Sequence, residues 1–410
     1  MYSKLVIVLF VFVIFSFNLL VGQETSKPEW QQFRGNARDA SAACSILIDS
    51  WTKKRPALVW KKKLGDGFSE VIIQQDKVFT MCSEKADSLS GMEFVIAMDA
   101  KTGNELWKTK VDSMFFDESG FGDGPRSTPA LDGERIFSIS SYGKLSAISI
   151  ADGTIKWSID FAKTYNSKLP RWAFCTSPLI LRSALIVEVG GGESKAFASI
   201  NKQTGEMNWI KGNAVPYYCS PAIAEINGIT NLIFTSDSML LSFDTEGNEL
   251  WSFRMPMRYP TATPLFIAPN KVFVSSAGSK GGCLVEINDN KATEIFQTAA
   301  MKNHFSTSVH YNGYIYGYSN AAFRCISVEK GETKWTKRGL GKGTLIRVNN
   351  KLLVLSDKGV LKLVEANPEV YTEHGSLQVL NGKSWTAPSF GNGNVYVRNL
   401  TEIASYKIAD

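Results

Sequence analysis

The sequence holds one set of side chains suited to capture and few suited to breaking bonds. Arg126, Arg171, Trp172, Tyr218, Arg258, Tyr259, Asn303, His304, Lys342, Lys383 and Trp385 fall in short irregular segments between apolar runs. Those segments are Gly65–Ser69, Phe121–Arg126, Pro170–Phe174, Pro216–Tyr218, Met257–Tyr259, Lys302–Phe305, Gly341–Gly343 and Lys383–Trp385. Nearly every one carries a cation, an aromatic ring or both. Guanidinium and ammonium groups hold anions by charge, and flat rings hold planar or apolar ligands by stacking. A packed channel with solvated cations would use the same residues, and that alternative stays open.

Catalytic constellations are missing. No His-Glu-x-x-His and no Gly-x-Ser-x-Gly occurs, and no carboxylates cluster at metal-ligand spacing. Asn381-Gly-Lys-Ser384 imitates the end of a phosphate loop, but Leu377 stands where the earlier glycine belongs. Gly120-x-Gly122-x-Gly124 lies in a loop, not between a strand and a helix, so it is no dinucleotide fingerprint. The histidines are His304, His310 and His374, and only His304 falls in the capture set. A lone histidine there is a candidate proton carrier or, more commonly, a hydrogen-bonded loop residue. The six cysteines are widely spaced, with no Cys-x-x-Cys, which argues against a zinc ribbon or covalent haem. Hydrolase and metalloenzyme readings are disfavoured.

The elements that must position the capture set repeat along the chain. Gly103 is followed four residues later by Trp107, Gly153 by Trp157, Gly205 by Trp209, Gly247 by Trp251 and Gly331 by Trp335. Each pair reads as a strand, a tight turn whose glycine takes positive φ, and an outer strand carrying a docking tryptophan. Upstream lie further short strands, opened by phrases such as Ser127-Thr-Pro, Thr176-Ser-Pro, Cys219-Ser-Pro and Thr386-Ala-Pro. Proline is tolerated at such a strand start. A four-stranded sheet with two apolar faces buries them by packing against copies of itself around an axis.

Openings near Glu70, Ser127, Ser177, Ser220, Thr263, Thr307, Thr344 and Ala387 predict an all-β, eight-bladed β-propeller of four-stranded antiparallel blades. Seven blades is the alternative. Units five and seven carry Phe296 and Tyr371 in place of tryptophan. The last unit has room for three strands, and Ala57–Lys62 can supply the fourth and close the ring. In this register the capture residues share one face, around the channel mouth.

Composition is ordinary for a globular chain, and the net charge of +6 comes from scattered lysines and arginines. That pattern gives no nucleic-acid footprint. Lys4 precedes an apolar run from Leu5 to Phe15, and small residues end near Gly22. This reads as a signal peptide over 1–22, with a retained anchor as the alternative. Residues 23–56 form an N-terminal extension and 57–410 one propeller domain. After signal cleavage no integral membrane segment is expected, and the chain is placed outside the cytoplasm, in the periplasm or cell envelope.

The unit Ala97-Met-Asp-Ala-Lys-Thr-Gly-Asn-Glu-Leu-Trp107 is similar to the repeat of the pyrroloquinoline-quinone (PQQ) propeller superfamily. Trp30-Gln-Gln-Phe-Arg-Gly35, Gly124–Pro129, Lys302–Ser306, Gly339–Gly343 and Tyr396–Asn399 resemble exported, BamB-like members of it. The resemblance covers residues from about 30 to 410. It implies either a scaffold without a cofactor or a quinoprotein dehydrogenase holding PQQ and calcium. The adjacent cysteine pair and calcium set of those dehydrogenases have no counterpart here. The expectation is therefore a non-catalytic propeller with no cofactor, binding a protein or polymer partner through its basic, aromatic loop face. A PQQ-dependent dehydrogenase, a relic binding PQQ or another small anion at the mouth, and a glycan-binding module are the alternatives.

Overall fold

The computed structural model describes residues 29–213, 218–258 and 260–409. The segment read as a signal peptide and the candidate Tyr259 lie outside them. Eight antiparallel sheets follow one another along the chain. Blades one to eight begin with the short inner strands Ile72–Gln74, Ala130–Leu131, Leu179–Leu181, Ala222–Ile226, Leu265–Ile267, Val309–Tyr311, Thr344–Val348 and Ser389–Gly391. The second strands are the most buried, as in Leu352–Leu355, because both their faces meet neighbouring blades. Outer strands alternate and leave one face in water, as in Lys291–Thr298. The one described α-helix is Phe161–Tyr165, and no described helix is long and apolar enough to cross a membrane.

The ring closes as expected. Strand Ala57–Lys63 pairs antiparallel with Glu402–Lys407 and completes blade eight, so an N-terminal strand ties the two ends together.

The Gly-x-x-x-Trp spacing turns out to serve two separate contacts. Where the following blade has a turn glycine, the tryptophan packs on that glycine and not on the one four residues before it. Trp60 meets Gly103, Trp107 meets Gly153, Trp157 meets Gly205 and Trp209 meets Gly247. Indole N–H groups donate to the same turns: Trp60 to Ala100 O at 2.9 Å, Trp107 to Ile150 O at 3.0 Å and Trp209 to Thr245 O at 2.9 Å. In the degenerate fifth blade Phe296 takes the indole's place on Gly331. Trp251 has no such glycine ahead of it, and its indole donates to Asn231 Oδ1 at 2.7 Å. Gly103 has φ +69°, and a methyl there would come within 2.6 Å of the Trp60 ring. Gly103→Ala should therefore cost about 2 kcal/mol at the closing joint. Urea unfolding measures this; an unchanged midpoint would mean the joint yields freely.

A second belt lies nearer the axis. The backbone N–H of Glu70 donates to Thr128 Oγ1, that of Thr128 to Ser177 Oγ, and that of Ser177 to Ser220 Oγ, each at 2.9 Å. Thr263 N donates to Thr307 Oγ1 at the same distance. The hydroxyls of Thr128, Ser177, Ser220 and Thr307 at the blade openings thus link one inner strand to the next.

Glu93 is buried between blades one and two, where it accepts from Ser141 N at 2.9 Å. Burial raises its carboxyl from 4.5 to about 7. Within that window the folded chain keeps a proton that the unfolded chain has released. Stability therefore falls as pH rises from about 4.5 to about 7 and levels off above. Glu93→Gln should flatten that fall, read from unfolding midpoints across the window. An unchanged slope would assign it to other carboxyls.

Candidate functional site

The channel is closed at one end by the segment that precedes the propeller. Trp30 bridges Ile73 in blade one, and Leu131 N of blade two donates to Gln31 O. Ser41–Ala42 then adds a parallel strand to the inner edge of blade seven. Between these points the chain crosses the axis through tight turns, with Arg34, Arg38 and Ala40 at positive φ. Arg34 is buried and donates to Ser308 O at 2.9 Å, Thr307 O at 3.4 Å and Arg38 O at 3.3 Å. Arg38 reaches the far wall, donating to Pro178 O at 3.0 Å and Ser177 O at 3.4 Å. Glu70 sits between them and accepts from Arg34 N at 2.9 Å. This strap spans the ring from blade three to blade six.

Above the strap is a blind cavity of about 240 Å³. Arg34, Phe33 and Glu70 form its floor, and the hydroxyls of Thr128, Ser220 and Thr307 line its wall. Burial lifts the Glu70 carboxyl to about 7, opposed by its contacts with Arg34 and Trp30.

Aromatic rings span the mouth. Tyr218 lies 5.2 Å from Trp172, Trp172 6.1 Å from Phe121, and Phe121 6.0 Å from Trp385. Trp385 stacks on Phe305 at 4.6 Å, and His304 meets Phe305 edge-on at 5.4 Å. Phe68 lies 6.4 Å from Trp385 on another side. Trp385 is the hub. Loops entering six of the eight blades supply these rings, because the repeat returns each outer strand to the axis on the same face. Arg398 fixes the first of these loops, donating to Gly67 O at 2.8 Å and Gly65 O at 3.2 Å just before Phe68.

The cations of this face are largely spent on its own loops. Arg126 donates to Gly122 O at 2.9 Å, lies 3.7 Å from Asp117, and stacks over Phe68 and Phe115. Lys383 donates to Gly120 O and Phe121 O and lies over Trp385. Arg171 lies over Trp172. Arg258 pairs with Asp237 at 2.8 Å and does not line the cavity. Lys342 stands outside the lining but close enough to lower the His304 pKa, after burial, which lowers it more. Asn303 is buried and bonded to Ser275, Tyr318 and Ser308.

The structure thus gathers Arg126, Trp172, Tyr218, His304 and Trp385 at one cavity. It adds Phe33, Arg34 and Glu70, which the loop pattern does not reveal. The one signal for Phe33 and Arg34 is the Trp30–Gly35 phrase standing ahead of the first blade, and Glu70 marks that blade's opening. The six thiols are free, and Cys175 and Cys219 bond to separate carbonyls instead of to each other.

Blade number, strand order and interblade docking define an eight-bladed propeller of the PQQ-repeat type. A protein-family model described as outer membrane protein assembly factor BamB matches residues 91–337, and the chain belongs to that family. No curated protein matches. Among solved structures, the chain is similar to BamB from Moraxella catarrhalis, at 14% identity and TM-score 0.62, covering 86% of this chain and 97% of that one. It is also similar to a quinohemoprotein alcohol dehydrogenase from Comamonas testosteroni, at 12% identity and TM-score 0.68, covering 93% and 80%. A europium-containing methanol dehydrogenase matches at 10% identity and TM-score 0.66, covering 93% and 98%. Identities this low establish the shared fold alone.

The dehydrogenase neighbours raise the question of PQQ and its metal. Calcium takes six to eight oxygen ligands, usually with several carboxylates. Glu70 is the one carboxylate among the described residues lining the mouth, and it already accepts from the strap. Among the described residues no three His, Cys, Asp or Glu side chains converge as metal ligands. The donor set does not fit a calcium–quinone centre.

Proposed function

We propose that this chain is a non-catalytic propeller of the cell envelope that captures a protein partner on its loop face, with the aromatic mouth as the contact. The row of rings from Tyr218 through Trp385 to His304 carries this reading. The rings are half-buried, held in place by paired cations, and left uncovered by any described element. Aromatic anchors presented on a rigid frame are the usual hot spots of protein interfaces. The paired state of Arg126, Lys383 and Arg258 favours recognition by stacking and shape over recognition of a strongly anionic polymer.

Two measurements test the reading. Purified chain mixed with PQQ and calcium should give no dye reduction; quinone-dependent turnover would overturn the non-catalytic assignment. A partner recovered on wild-type chain from envelope extracts should be lost from the Phe121→Ala/Trp172→Ala variant. Equal recovery by both would remove the mouth as the contact.

A further inference from the structure

Glu188 is the fifth residue of the strand Ala184–Glu188, the second strand of blade three, and is only 2% exposed. Neither carboxyl oxygen has a hydrogen-bond partner among the described residues. Polar residues at the fifth position of the corresponding strand are Ser275 in blade five, Tyr318 in blade six and Arg398 in blade eight, whereas blades one, two and seven carry Met81, Ile139 and Leu355 there. Each of the polar ones is used internally. Ser275 Oγ donates to Met301 O at 2.9 Å, Tyr318 Oη to Leu355 O at 3.2 Å, and Arg398 to Gly67 O at 2.8 Å. Glu188 has no such internal use, and a buried carboxyl without a donor is costly enough to require a reason.

Glu188 borders a cavity beside the channel mouth. Phe174, Cys175, Gly190, Asn213 and Tyr218 also line it, and Cys175 and Tyr218 are shared with the mouth. The charged groups at its edge are Lys168 and Glu193. Arg126 and Asp117 act on Cys175, whose thiol burial pushes up to about 12, so it stays neutral beside Glu188. Burial likewise raises Cys219, the other thiol near this carboxyl. A metal would need further donors, and no third ligand converges here among the described residues. A carboxylate in this setting is matched by a cation that brings its own N–H donors.

We propose that this cavity is a binding subsite for an organic cation carrying N–H donors, an alkylammonium or a guanidinium group, with Glu188 as its counter-ion and Phe174 and Tyr218 as aromatic walls. The site goes beyond partner capture at the mouth and does not depend on it. Burial raises the pKa of the empty carboxyl well above the ordinary carboxylate range. Entry of the cation favours the ionised form, so cation binding is linked to proton release.

The test is calorimetric titration of the full chain at neutral pH with butylammonium and with methylguanidinium, in two buffers of different ionisation heat. The expected result is saturable binding whose heat differs between the buffers, with tetramethylammonium, which has no N–H, inert. Glu188→Gln imitates the neutral acid, so it should keep the melting temperature and weaken binding by roughly thirtyfold or more. Blocked tripeptides Gly-Lys-Gly and Gly-Arg-Gly separate the sources. Tighter binding than the free ions assigns a partner's basic side chain, weaker binding a small amine, and both uphold the site. No saturable binding by either ion, or equal binding by E188Q, overturns it. Trp385→Ala should leave this titration unchanged, which separates failure here from failure of the mouth.

Discussion

Trp385→Ala should weaken partner capture by at least roughly thirtyfold, the effect of losing an interface hot spot of about 2 kcal/mol. Trp385 touches three other rings of the mouth, on Phe305, Phe121 and Phe68, and supports the Lys383 ammonium at 4.7 Å. Its removal breaks the row into two separated groups and frees the Lys383 anchor on the 117–126 loop. The blades are not joined through it, since interblade docking uses the outer tryptophans and the inner hydroxyls. The melting temperature should therefore change little. A variant that unfolds early would show that the rings serve as a plug for the ring's stability, and capture would then need another surface.

Arg34→Met should have the largest effect on stability, about 3 kcal/mol, because it leaves buried backbone carbonyls without their donors. The substitution strips donors from Ser308 O, Thr307 O and Arg38 O and leaves Glu70 without its nearest cation. Protonation of Glu70 relieves part of that cost. The double variant Arg34→Met/Glu70→Gln should accordingly be more stable than the single one, by an amount that a double-mutant cycle in urea measures. Additive losses would mean that the two groups act independently and that the strap is held by its backbone alone.

Much of this architecture was legible because a propeller repeats itself. Period, turn glycine and outer tryptophan are local signals, so the blades, the closing strand and the shared face of the loops could all be read. The degenerate fifth and seventh units were legible as such, because Phe296 and Tyr371 keep an aromatic ring where an indole belongs. What escaped depends on contacts between distant residues. No local pattern says that Trp107 belongs to Gly153, or that Arg34 will meet Ser308 across the channel.

The same limit shaped the site. Arg258 looked like a mouth cation until the Ser236–Met239 turn brought Asp237 against it. Asn303 looked like a loop donor until strands Lys271–Ser275 and Tyr314–Ser319 enclosed it. Residue type picked the candidates, and charge pairing across the fold sets which of their groups are already used. The result is a mouth that is aromatic first and basic second.

Site-specific photo-cross-linking reads whether partner capture runs through the mouth. A photoreactive residue placed at Arg171 or Lys342 samples the loop face, and one at Lys101 or Lys330 samples the turns of the opposite face. One discrete adduct is expected from both loop-face positions, abolished by Trp385→Ala, and none from the turns. Adducts formed only from Lys101 or Lys330, or loop-face adducts indifferent to Trp385, would contradict capture through the mouth.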